Sequence, residues 1–94
     1  MNPNSGLHLV AREAGRLTSA LPVSVLHTLA ESVHNCNPED WSWCKSQIVG
    51  RISQPHYRSL VASFLDSWHS QAKSVGPESV AVALLTAAHC EQTH

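Results

Sequence analysis

Apolar residues recur along this chain at intervals of three and four, and prolines divide the recurrence into segments. Pro22, Pro38, Pro55 and Pro77 each stand at the head of a stretch with that spacing. A proline is tolerated there because its missing N–H falls among donors that a first helical turn leaves unpaired. Short polar connections, residues 34–37 and 73–76, separate the segments. No apolar–polar alternation is sustained and no hairpin turn pair occurs, so strands are not expected.

Five helices follow from this pattern. The first covers residues 5–20, with Leu7, Val10, Ala14, Leu17 and Leu21 on one stripe. Gly15 costs about 1 kcal/mol against Ala in its middle, which predicts a second helix packed closely there. The second covers 22–34, where Val25, Leu26, Leu29, Ala30 and Val33 fit one helical face. The Leu21-Pro22 step between them predicts a hairpin. The third has the clearest start: Asn37 as N-cap, Pro38 in the first turn, Glu39 and Asp40 against the positive end of the dipole. Trp41, Cys44, Ile48 and Ile52 share one face, and Trp43 falls off that stripe, onto either a second packing face or an exposed position that could anchor a partner. The fourth, 55–71, carries Tyr57, Leu60, Val61, Phe64, Leu65 and Trp68, the strongest apolar stripe in the chain. The fifth, 77–90, is apolar nearly all round from Val80 to Ala88, with Thr86 the one polar side chain. Such a helix is normally surrounded, by its own domain or by a partner. The fold expected is all-α: a compact bundle of about five short helices with the fifth central, one domain over 1–94, and tails at 1–4 and 92–94.

Composition narrows the function. A chain of 94 residues buries about two-thirds of its unfolded surface, enough for one core and not two. Only 14% of residues are charged, so the surface is covered largely by neutral polar groups and suits a domain docked against something else. The six Lys and Arg residues are scattered singly, leaving no basic stripe to neutralise phosphates, and nucleic-acid binding is not expected. Protonating the seven His residues would carry the formal charge from −1 to +6, so association should be easiest near neutral pH. The start, MNPNSGLHLV, lacks a charged leader followed by an apolar run, and the longest apolar run is far short of a bilayer span. A cytoplasmic protein with reduced thiols at Cys36, Cys44 and Cys90, and no membrane association, is the expectation.

Candidate chemistry is sparse. Cys36, Cys44, His34 and Cys90 could be drawn as a zinc site, yet no CxxC or HxxxH pair occurs. Cys44 and Cys90 read better as small buried apolar residues, and no metal or cofactor is expected. GxSxG, HExxH and glycine-rich phosphate loops are absent, so no catalytic residue is assigned. What remains is interaction. Trp41, Trp43, Trp68 and Tyr57 are the side chains suited to anchor a partner. Periodicity assigns Trp41, Trp68 and Tyr57 to the core and leaves Trp43 as the candidate partner contact.

The order of Leu21-Pro22 and its helix, a helix ended by Trp68, and the run Ser79-Val80-Ala81-Val82-Ala83-Leu84-Leu85-Thr86-Ala87-Ala88 carries a resemblance. Over residues 7–90 it resembles the N-terminal helical region of the phospholipase-D-like proteins of DISARM-type bacterial antiphage defence islands (DrmC-type). The catalytic domains of that family work through His-x-Lys motifs. None of His8, His27, His34, His56, His69, His89 and His94 is followed two residues later by Lys. The resemblance therefore implies the accessory part without the catalytic part. The expected function is a non-catalytic docking or regulatory module with a protein partner, phospholipase-D-like or another defence component. The alternatives are a homo-oligomer with its fifth helix between subunits, and a small-ligand or metal sensor.

Overall fold

Runs of apolar positions three and four apart sustain five helices, and prolines stand at or just before the starts of four of them. The computed structural model describes residues 4–92. Helices α1 (Asn4–Ala20), α2 (Val23–His34), α3 (Trp41–Gly50), α4 (Pro55–Gln71) and α5 (Pro77–Gln92) account for most of them, with a 3-10 turn at Pro38–Asp40 before α3. Among the described residues there is no strand. Of the tails anticipated at 1–4 and 92–94, residues 1–3 and 93–94 lie outside the described residues, while Asn4 and Gln92 belong to α1 and α5.

The prolines act at helix starts in two ways. Pro55 and Pro77 are the first residues of α4 and α5, and the carbonyls just before them, Gln54 and Gly76, accept from Arg58 and Val80 N–H at 3.0 and 3.1 Å. Pro22 stays outside α2 in an extended conformation, its carbonyl accepting from Val25 and Leu26 N–H. The Asn37 side chain accepts from Glu39 N–H at 3.1 Å, so the cap acts on the 3-10 turn and α3 proper starts at Trp41.

Packing closes a ring in the order α1–α5–α2–α3–α4 and back to α1. The interfaces of α5 with α2 and with α1 are the two most extensive, so the bundle is assembled on the fifth helix. In contrast, α1 and α2 touch each other little. The expected hairpin is thus opened: α5, with the small side chains Ala81 and Ala88 buried on it, takes the surface each would have offered the other.

The radius of gyration, 12.2 Å, is what one domain of this length should have. The molecule is flat, 34 × 31 × 19 Å. With helices about 10 Å across, 19 Å is two layers. No helix in a two-layer slab can be covered on every side, which corrects the expectation that all faces of α5 contact protein. Val80, Ala81, Leu84 and Ala88 are buried, whereas Val82 is 61% and Leu85 44% exposed.

Two details of α1 also differ from expectation. The buried stripe is Val10, Ala14, Leu17 and Leu21, and Leu7 is 46% exposed. The stripe instead continues back through Gly6, four residues before Val10. A Cβ there would lie 3.1 Å from Val75 Cγ2 and 3.5 Å from Ala72 Cβ, so the connection after α4 rests directly on the glycine. Gly15 faces open space and no helix packs on it. The close approach belongs to the other glycine.

The α4–α5 connection is held from within. Trp68 is buried, and its indole N–H donates to the Val75 carbonyl at 2.8 Å. Ala72 N–H donates to the Trp68 carbonyl and Val75 N–H to the Ala72 carbonyl, both at 2.9 Å. The buried hydroxyls are likewise paired: Thr18 donates to the Gly15 carbonyl, and Ser32 accepts from Arg51.

Two stability predictions result. Leu84→Ala empties a fully buried site and should cost about 2–5 kcal/mol. Leu85→Ala, on the open face of the same helix, should cost well under half as much; equal losses in denaturant titrations would contradict the slab arrangement. Gly15→Ala should stabilise by up to about 1 kcal/mol, since the helix gains propensity and the added methyl meets nothing. A lowered melting temperature for Gly15→Ala would mean that α1 is covered at that point.

Candidate interaction surface

Helix α3 is short, and its sides divide sharply. Cys44 and Ile48 point into the core, and Trp41 turns toward α4. The Trp41 ring meets Trp68 edge-on, centroids 5.4 Å apart at 81°, and stacks face-on with His69 at 4.5 Å and 8°. That cluster ties α3 to α4. Trp41 and Trp68 are therefore structural, as is half-buried Tyr57, which packs against the core.

Trp43 is different. Two residues after Trp41, it leaves the inner face and is 60% exposed, which decides between the second packing face and the exposed position that periodicity left open. Beside it lies a recess of about 160 Å³, lined also by Ser32, Asn35, Cys36, Cys44, Gln47, Ile48 and Arg51. An aromatic ring at the edge of a small recess with both polar and apolar lining can give a partner apolar contact area and hydrogen-bonding groups.

The sulfurs in this recess form a contact that sequence reasoning missed. Cys44 Sγ accepts from Asn37 N–H at 3.2 Å and donates to the Asn37 carbonyl at 3.1 Å. Cys36, the residue before Asn37, is half-buried and lines the same recess as Cys44. Burial first, then the hydrogen bond to Cys44 and repulsion from a Cys44 thiolate, push the Cys36 thiol from 9.0 up to about 12. The drawn zinc site is half assembled: Cys36 and Cys44 meet, while Cys90 is exposed on α5. Contrary to its reading as buried, Cys90 follows the buried Ala88 onto the outer side of the helix end. Among the described residues, no three His, Cys, Asp or Glu side chains gather where they could hold a metal ion.

On the other flank of α3, an open groove of about 720 Å³ runs against α4. Ser42, Ser46 and Gly50 from α3 and Ala62 from α4 are too small to fill it, and Lys45 and Arg58 line it as well. Both cations already have partners. Lys45 Nζ pairs with Asp66 across the groove at 2.7 Å, and Arg58 Nε donates to the Ile52 carbonyl at the end of α3. The exposed ion pair contributes under about 1 kcal/mol. Neither of these two recesses is lined by a His, Asp or Glu. The small-residue pattern Ser42, Ser46, Gly50 was a usable sequence signal for the groove.

Fold and surface together define an all-helical bundle whose large exposed apolar side chains, among the described residues, are Leu7, Trp43, Val82 and Leu85. No family model, curated protein or solved structure matches the chain. No helix of the described residues is long and apolar enough to cross a membrane.

The raised Cys36 thiol has a pH consequence. Its proton is held more tightly in the folded chain than in the unfolded one, so its contribution to stability is complete below pH 9 and is lost as pH rises towards about 12. Cys36→Ser should therefore show a shallower loss of stability over that alkaline window than the parent. Identical slopes in paired denaturant titrations would mean the thiol is not perturbed.

Proposed function

We propose that this chain is a non-catalytic docking module of the cytoplasm and that Trp43 on α3 is its principal contact. The observation that carries the reading is the 60% exposure of a Trp at the rim of a recess, on a helix whose other aromatic residue, Trp41, is committed to packing against Trp68 and His69 of α4. An exposed Trp gains most when a partner desolvates it, which is why Trp is enriched at binding hot spots. The low charge of the surface favours the same reading, since fewer ions must be stripped of water on docking. The resemblance to the helical region of phospholipase-D-like defence proteins supplies the partner class to try first.

A second reading has its own observation. Val82 and Leu85 are exposed on the helix that otherwise holds the bundle together, and a second copy of the chain seated there would cover them. The two readings predict different responses. For docking, Trp43→Ala should leave helicity and stability within about 0.5 kcal/mol of the parent and weaken binding to a coexpressed phospholipase-D-like protein by roughly 30-fold. For self-association, Val82→Lys with Leu85→Lys should convert a sedimenting oligomer to monomer. Unchanged binding by Trp43→Ala, measured by titration calorimetry, would remove the assignment of Trp43.

A further inference from the structure

The recess beside Trp43 holds a pair of groups that the docking reading does not use. Cys44 Sγ is gripped by a single peptide unit on each side of Asn37, through its N–H and its carbonyl. That grip fixes the buried sulfur against the connection in which Cys36 lies, and the two cysteines line the same recess. From that placement, rotation of the Cys36 side chain is the movement that would bring the sulfurs to bonding distance. Cys36 stands between the end of α2 and the 3-10 turn, and its N–H donates to the Val33 carbonyl at 3.0 Å, so the backbone is held and the movement is one of the side chain alone. Both sulfurs line the recess, and Cys36, the more exposed of the two, is the one that a small reagent can reach.

We propose that Cys36 and Cys44 are a reversible oxidation site that closes to an intramolecular disulfide by exchange with a low-molecular-weight disulfide. In the first step Cys36 loses its proton to solvent and its thiolate attacks one sulfur of the small disulfide. That S–S bond breaks, and one small thiolate leaves and is protonated. In the second step Cys44, deprotonated in turn, attacks the Cys36 sulfur of the mixed disulfide, and the other small thiolate leaves and is protonated. The two cysteines give up two electrons and two protons, and the small disulfide is reduced to two thiols. The proposal does not depend on what docks at Trp43.

The environment sets the rate of closure. With its thiol pushed up to about 12, Cys36 is almost wholly protonated near neutral pH. The attacking thiolate is then scarce, and the first step should accelerate about tenfold for each pH unit. The site is slow to close near neutral pH.

The test incubates the full chain with glutathione disulfide between about pH 7 and pH 9, followed by alkylation, digestion and mass spectrometry. The expected product is a Cys36–Cys44 cross-link within one chain, lighter by two hydrogens, formed faster at higher pH and reversed by a dithiol reductant. Cys44→Ala should stop at a stable glutathione adduct on Cys36, because the resolving sulfur is gone. Cys36→Ser should leave buried Cys44 unmodified, and it decides the matter if Cys44→Ala does not fold. A persistent glutathione adduct on Cys36 of the folded parent, or cross-linking to Cys90 or between chains in place of the internal bond, would overturn the proposal.

Discussion

The buried hydrogen bond from the Trp68 indole to the Val75 carbonyl is the contact on which the arrangement of the other helices turns. Trp68 is the last apolar position on α4, and a buried indole N–H left without a partner would cost about 1–3 kcal/mol. It finds one across the connection to α5, drawing Ala72 and Val75 inward over the core. The connection so closed is the surface against which Gly6 of α1 rests. The same ring receives the edge of Trp41, which sets α3 against α4. One side chain thereby determines where α5 begins, where the start of α1 lies and how α3 is held.

The second constraint is thickness. Five helices of ten to seventeen residues in a slab 19 Å thick have too little chain to enclose any one of them. The apolar circumference of α5 therefore divides into a buried half, Val80, Ala81, Leu84 and Ala88, and an open half with Val82 and Leu85. The surface carries that apolar area with few charges to offset it, a combination that favours association over isolation. It is the physical basis for reading the chain as a module that works against another protein surface.

Helix α3 concentrates what is unusual here. It is tied to α4 by the Trp41 cluster and the Lys45–Asp66 pair, but touches α2 only lightly, and a recess opens on each of its flanks. Trp43 and the Cys36–Cys44 contact share one of those recesses. A weakly buttressed helix with an exposed aromatic ring is suited to adjust to what docks on it. The Cys44 grip on Asn37 ties the same helix to the connection before it.

The sequence by itself determined whatever depends on neighbours a turn away. Proline positions and three–four spacing placed all five helices, with α4 at 55–71 as read, and the helical period took Trp43 off the core stripe of α3. These are local properties: capping, φ restriction and the direction of a side chain from its own helix. Tertiary structure decided everything that depends on which surfaces meet. Gly6 and Gly15 look alike along the chain, and only the arrival of Ala72 and Val75 distinguishes them. Leu84 and Leu85 are adjacent and identical, yet one is sealed between helices and the other faces out, because a flat bundle covers one side of α5. Cys36 and Cys44 are eight residues apart across a helix break, and their contact arises because Asn37 turns the chain back over the buried sulfur. Spacing encodes the helices; the shape of the space between them is set only when all five are in place.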